Sequence, residues 1–213
     1  MTNTINESYV DILEQAKTEH EFIDYTALRQ AYTKTPSYSP YNDRSVFLYR
    51  EKMFSALNRQ DYNLAIRYAQ NALNINFLNI EAHTVMYKAN QALRKHTTAV
   101  KHKAIAEKLL KSILNSGDGH TPATAYKVIS VQEQYVVIEA LGGATVKQVL
   151  INNGNGRYYD VHEIIKPGSS VKEKVYFDIS LPCKALISGS GKQLSEYKVA
   201  NRIKDIFKAL TGK

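Results

Sequence analysis

Asp61-Tyr-Asn-Leu-Ala-Ile-Arg-Tyr-Ala-Gln-Asn-Ala-Leu-Asn-Ile-Asn-Phe-Leu-Asn-Ile-Glu-Ala82 is the stretch that decides the fold. Its apolar positions recur every three to four residues, which predicts a helix over 61–76 with a single buried stripe. Ala65 and Ala69 lie on that stripe, and side chains this small let a second helix approach closely. Glu81-Ala82 opens a further helix through Leu93. Upstream, Phe47, Leu48, Phe54, Ala56 and Leu57 predict a partner helix from Ser45, and Asn58-Arg-Gln-Asp61 turns the chain between the two.

Working outward, residues 7–18 carry Tyr9, Val10, Ile12, Leu13 and Ala16 at helical spacing. A short helix is expected over 24–33, with Asp24 as its N-cap and Tyr25, Leu28, Ala31 and Tyr32 inward. Two prolines then break the pattern in Thr35-Pro-Ser-Tyr-Ser-Pro-Tyr-Asn-Asp43, because each pushes its predecessor out of helix. A last N-terminal helix is expected over 98–115, with Ile105, Leu109, Ile113 and Leu114 inward.

Ser116-Gly-Asp-Gly-His-Thr-Pro122 ends the helices. Beyond it, Thr124–Ile129 predicts a strand, and Ser130-Val-Gln-Glu133 has the form of a capping box opening a helix over 131–141. Antiparallel strands are expected over 145–151, 157–165 and 172–180. The first two are joined by Asn152-Asn-Gly-Asn-Gly156, whose glycines supply the positive φ a tight turn needs. Ser188-Gly-Ser-Gly191 leads into an amphipathic helix over 192–211 with Leu194, Tyr197, Ile203, Ile206, Phe207 and Leu210 on one side. The predicted class is α+β, divided into a helical region (1–116), an α/β sheet module (117–187) and a joint with a basic helix (188–213).

The formal charge of +8 is unevenly spread. Residues 88–111 carry +6 and 188–213 carry +4, while 1–87 sum to −2 and 112–187 to zero. The basic side chains are Lys95, Lys101, Lys103, Lys108 and Lys111, then Lys198, Arg202, Lys204 and Lys208. Such a face attracts nucleic acid, an anionic membrane or an acidic partner, or is simply a solvated helix surface. One cysteine, Cys183, excludes an intrachain disulfide framework and any multi-cysteine metal site. No apolar run of about 18 residues is present to span a membrane. The first residues lack the basic and apolar regions of a secretory signal, so the sequence as it stands reads as cytoplasmic, and as periplasmic or secreted if a signal has been trimmed.

Residues 61–82 resemble the second helix of a tetratricopeptide repeat and the entry to the next. Tyr62 matches the tyrosine of the inter-helix turn, Ala65 and Ala69 the small positions, and Tyr68, Ala72 and Leu73 the packing face. Arg59 stands near where the repeat prefers glycine, and Phe77 replaces its helix-ending proline. A second resemblance covers roughly residues 22–180. Asp24-Tyr-Thr-Ala-Leu-Arg-Gln-Ala-Tyr32, Pro36, Pro40-Tyr41, Gly117-Asp-Gly-His-Thr-Pro-Ala-Thr-Ala-Tyr126, Val128-Ile-Ser130 and Tyr158-Tyr-Asp-Val161 look like domain of unknown function 4919. That family is bacterial with several exported members, and the resemblance implies no activity.

The expected function is non-enzymatic binding of a protein or peptide, as an adaptor or scaffold. Tyr49, Met53, His83, Tyr87 and Asn90 would line a groove of first helices, flanked by Tyr38 and Tyr41. The rival is nucleic acid or anionic membrane held by the basic helices. A third reading is a cysteine-dependent hydrolase using Cys183 with His162 and Asp160 or Asp178. No metal and no small-molecule cofactor is expected: His96 and His102 share a helix but their neighbours are lysines, and Gly117-Asp-Gly-His120 lacks the context of a phosphate loop.

Overall fold

The computed structural model describes residues 3–41 and 44–188. The expected C-terminal helix, with Lys198, Arg202, Lys204 and Lys208, lies outside the described residues. The class is α+β. Contacts divide the chain into two compact units, Met1–Tyr38 with Asp43–Ser112, and Ser39–Asn42 with Ile113–Lys213. The division falls a few residues before the glycine-rich turn, and the segment around Tyr41 belongs with the second unit.

Unit one contains α1 (Asn3–Thr18), α2 (Tyr25–Tyr32), α3 (Arg44–Asn58), α4 (Tyr62–Ile75), α5 (Ile80–Ala92) and α6, which starts at His96 and runs to Leu114 at the unit boundary. Caps set the starts. The carboxylates of Asp24 and Asp61 and the amide of Asn79 accept from backbone N–H groups in the first turns of α2, α4 and α5. Around α3, α4 and α5 the core is built on small residues. Ala56, Ala65, Ala69, Ala72, Ala82 and Ala89 are all fully buried, with Met53, Val85, Met86 and Leu73 filling between them. Alanine at the seam removes the side-chain volume that would hold helix axes apart.

The geometry of α3–α4 recurs 34 residues later in α5–α6. Gln60 (φ 61°) and Arg94 (φ 58°) both take the left-handed conformation that ends the first helix of each pair. In each case the next residue's N–H, on Asp61 or Lys95, bonds five residues back to Ala56 O or Asn90 O. The left-handed residue is thus Gln60 rather than Arg59. Ala65 and Ala72 of α4 correspond to Ala99 and Ala106 of α6, and all four are buried. The Tyr49–Tyr68 ring pair (6.3 Å) corresponds to the His83–His102 ring pair (5.1 Å).

Unit two holds a four-stranded sheet of order β1-β4-β3-β2. β1 is only Tyr126–Lys127 and runs parallel to β4 (Lys172–Asp178); β3 (Tyr158–Ile165) is antiparallel to both β4 and β2 (Ala144–Asn152). A bulge interrupts β2 between Thr145 and Lys147. The expected strand over 124–129 shortens because Pro122–Thr124 forms a 3-10 turn. α7 (Val131–Ala140) lies where expected, but its capping box is not closed: Ser130 makes no side-chain cap, and Glu133 instead accepts from Ile129 N at 2.7 Å. A final helix, α8 (Ser180–Ser188), replaces the expected end of the last strand. Asp178 Oδ1 takes the Ser180 N–H at 2.9 Å, and Pro182 falls in the first turn, where its missing N–H costs nothing.

Replacing Ala69 by leucine tests the seam. Overpacking there is expected to cost about 1–3 kcal/mol, read as a lower urea midpoint by circular dichroism. A wild-type midpoint would mean the helices do not depend on close approach.

Candidate functional site

The seven groove residues expected from sequence do not form one surface. Met53 and His83 are fully buried, and Asn90 and Tyr41 nearly so, so none can line an open groove. Met53 fills the alanine seam. Asn90 turns its Nδ2 back on Met86 O of its own helix at 2.7 Å. Tyr38 stacks edge-on against Tyr32 in unit one, whereas Tyr41 belongs to unit two, its hydroxyl 3.7 Å from Cys183 Sγ. Tyr49 and Tyr87 remain, both half-buried. Burial removes Met53, His83, Asn90 and Tyr41, and Tyr38, also half-buried, packs on Tyr32 instead.

What the structure assembles instead is a pair of equivalent ring contacts in different states. At the second pair, His83 Nε2 donates to Phe77 O (2.8 Å), which leaves its Nδ1 to accept the Nδ1–H of His102 (2.8 Å). His83 is therefore neutral in this arrangement, and a proton added to it would set two N–H groups against each other. Burial, reinforced by the His102 ring, pushes His83 down to about 3. Burial, with Lys101 and His20 nearby, pushes His102 down to about 4. The chain's own backbone overlies this position. Lys101 Nζ donates to Lys17 O, and Lys108 Nζ to His20 O and Glu21 O, capping carbonyls at and beyond the end of α1.

At the first pair, Tyr49 and Tyr68 stay half-buried. Lys52 Nζ sits 5.6 Å and Arg67 Cζ 5.8 Å from the Tyr68 ring centroid, both as cations on the ring face. Arg67 stands 34 residues before Lys101 and is exposed. Beside them, Arg50 Nε lies 2.7 and 3.0 Å from the two Glu81 carboxylate oxygens and ties α3 to α5.

Of the expected basic face, Lys101 is engaged by Lys17 O and Lys108 by His20 O and Glu21 O, and Lys103 reaches Glu107 (3.7 Å) and lies over Tyr87 (5.8 Å). Lys95 and Lys111 are exposed.

In unit two a buried relay runs beneath α7. Thr145 Oγ1 donates to His162 Nδ1 (3.0 Å), His162 Nε2 donates to Gln134 Oε1 (2.7 Å), and Gln134 Nε2 donates to Asp160 Oδ2 (3.0 Å). This order follows because the Asp160 carboxylate can only accept, which fixes the Gln134 amide and then the imidazole tautomer. Burial pushes Asp160 up to about 6 against the opposing bonds of Gln134 and Gln148, and lowers His162 to about 4.

The arrangement does not pair Cys183 with the histidine that the third reading from sequence assigned to it. Both nitrogens of His162 are engaged by Thr145 and Gln134, so neither serves as base for Cys183, and burial pushes the thiol up to about 12. The Gly117–His120 turn is likewise closed on itself. The amides of Asp118 and Gly119 both donate to Thr124 O, and a Cβ at Gly117 would lie 2.2 Å from that oxygen. Among the described residues no three His, Cys, Asp or Glu side chains are grouped to hold a metal, and no helix is long and apolar enough to cross a membrane.

The family model described as Domain of unknown function (DUF4919) matches residues 6–187. The chain belongs to this family. No curated protein and no solved structure matches the chain. For this DUF4919 chain, Gln134 and the His83–His102 contact were invisible in sequence. Their partners lie 26 to 28 and 19 residues away, and no local spacing signals them.

The buried imidazoles His83, His102 and His162 respond to acid with one sign and the buried Asp160 carboxyl with the other. The native state holds His83 and His102 below the free imidazole value, so between pH 6.5 and about 3 it binds fewer protons than the unfolded chain. Unit one is therefore expected to lose stability as pH falls from 6.5, by up to about 1.4 kcal/mol per unit for each ring. Urea midpoints at pH 7 and 5 should show the drop, and a His102→Gln variant should shallow it; equal slopes would contradict it.

Asp160 is raised, so the stability it contributes is present below its unfolded value near 4 and lost as pH rises through about 6. Asp160→Asn keeps an acceptor for Gln134 without the charge. It is expected to stabilise the protein by about 1–3 kcal/mol at pH 8 and by almost nothing at pH 4. A thermal melt showing destabilisation at pH 8 would reverse that reading.

Proposed function

We propose that unit one holds an extended segment of a partner protein across the Tyr49–Tyr68 contact, without chemistry. The observation that carries this is the equivalence of the two ring pairs. At His83–His102 the α6 lysines grip the carbonyls of residues 17–21 of the same chain. At Tyr49–Tyr68 the equivalent cation, Arg67, is exposed beside half-buried rings. An extended backbone there would gain the same kind of contact: carbonyls for Arg67, and apolar or aromatic area against two tyrosines, which bury much surface at little entropy cost.

The repeat geometry supports this reading. The helix-pair period of 34 residues is that of tetratricopeptide repeats, which use the faces of stacked hairpins to bind extended segments. Exposed Lys52 and Arg67 favour a segment with acidic side chains. The rival reading, nucleic acid or anionic membrane at the basic helix, is weakened because Lys101, Lys103 and Lys108 are engaged within the chain.

A random peptide display library panned on the protein tests the proposal. Acidic sequences should be enriched, and their binding should fall at least tenfold in Arg67→Glu and in Tyr68→Ala, with helicity by circular dichroism unchanged. Peptides that bind both variants as tightly as wild type would refute this site. Salt-sensitive retention of duplex DNA on filters, lost only when Lys95 and Lys111 are reversed in charge, would favour the rival.

A further inference from the structure

We propose that strand β2 is a contact between two copies of this chain, paired antiparallel to its own symmetry mate about a twofold axis at Leu150. This surface lies on unit two and is independent of the peptide site.

β2 is nine residues long and forms one edge of the sheet; among the described residues no strand pairs with its outer side. Its Val146 (49 %), Val149 (41 %) and Ile151 (38 %) are exposed β-branched side chains. A long apolar edge with unpaired N–H and C=O groups is a template for another strand.

The direction of the free backbone groups follows from the hairpin. Asn153 N–H donates to Arg157 O, on the β3 side. Alternation along the strand then turns Ile151 and Val149 toward β3, and turns the amides and carbonyls of Gln148, Leu150 and Asn152 outward. Only registers that set outward residues against outward residues can form a ladder.

Among these, the register centred on Leu150 is chemically self-complementary. It sets Leu150 against Leu150 and Gln148 against Asn152, two uncharged residues whose side-chain oxygens accept from Tyr135 and from Gly154 N of their own chain. On the other face it sets Val149 against Ile151, twice. Lys147, which reaches Glu163 of its own chain at 4.0 Å, meets no like charge. Centring on Val149 would instead oppose Lys147 to Ile151, and centring on Gln148 would carry the ladder into the bulge between Thr145 and Lys147. The chosen ladder supplies about six backbone hydrogen bonds, and opposed β-branched pairs add stability on the exposed face.

The opposite edge explains why pairing would stop at two. β1 spans two residues, too short to template a further strand. Two copies would therefore close an eight-stranded sheet across β2 rather than grow a fibre.

Sedimentation velocity on the full chain, over a concentration series up to about 200 µM, reads this directly, because a short edge-to-edge contact belongs to the weak end of interfaces. Wild type should shift from monomer to dimer. Val149→Lys with Ile151→Lys places lysine opposite lysine twice across the axis and should leave a monomer. Val149→Lys with Ile151→Glu places lysine opposite glutamate twice and should restore the dimer. A monomeric wild type, or a dimeric double-lysine variant, overturns the proposal. A lysine–glutamate variant that stays monomeric, or assemblies beyond two copies, overturns the register about Leu150.

Discussion

Close approach of helices through alanine is the constraint on which unit one depends. Six alanines along α3, α4 and α5 contribute almost no side-chain volume at the seam, so backbones meet and the larger Met53, Val85 and Met86 fill the remaining space. The turn between paired helices must then be tight, which is why Gln60 and Arg94 adopt a left-handed backbone that glycine would take more cheaply. Once that turn is repeated, the ring pairs follow from it. The residues 19 positions apart on two helices, Tyr49 with Tyr68 and His83 with His102, are brought face to face by the same hairpin geometry.

Equivalent hairpin geometry places different side chains in contact. In the second pair, histidines replace tyrosines and the α1–α2 segment lies over them, held by Lys101 and Lys108. That makes the contact a sealed polar joint. In the first pair the tyrosines keep part of their surface, with Lys52 and Arg67 over the Tyr68 ring. The two equivalent positions thus differ in which side chains occupy them and in what those side chains hold.

Unit two solves a different problem, that of polar groups inside a small sheet. Asp160 and His162 point to the same side of β3, where α7 would otherwise cover them with apolar surface. Gln134 satisfies both at once, because an amide offers a donor to the carboxylate and an acceptor to the imidazole. The network orders the module but leaves no free base, and it keeps Asp160 and His162 away from solvent. Carboxylate and imidazole in one buried chain titrate outside their ordinary ranges without any implied reaction.

Much of this was determined by sequence alone. Helical periodicity over 61–93, the cap at Asp24, the Asn-Gly hairpin after β2 and the α+β class all follow from local preferences, which act within a few residues. Tertiary structure decided which polar residues are buried and with whom. His83 and Asn90 share helical positions with residues that could face solvent, and His83 is buried against Phe77 and against His102 of α6. Likewise α8 arises where alternation suggested a strand continuing to Ser180, because Asp178 and Pro182 together favour a helix start only once the sheet has ended. Local spacing specifies which face of an element is apolar; it carries no record of what covers the other face, since that depends on contacts between residues far apart in the chain.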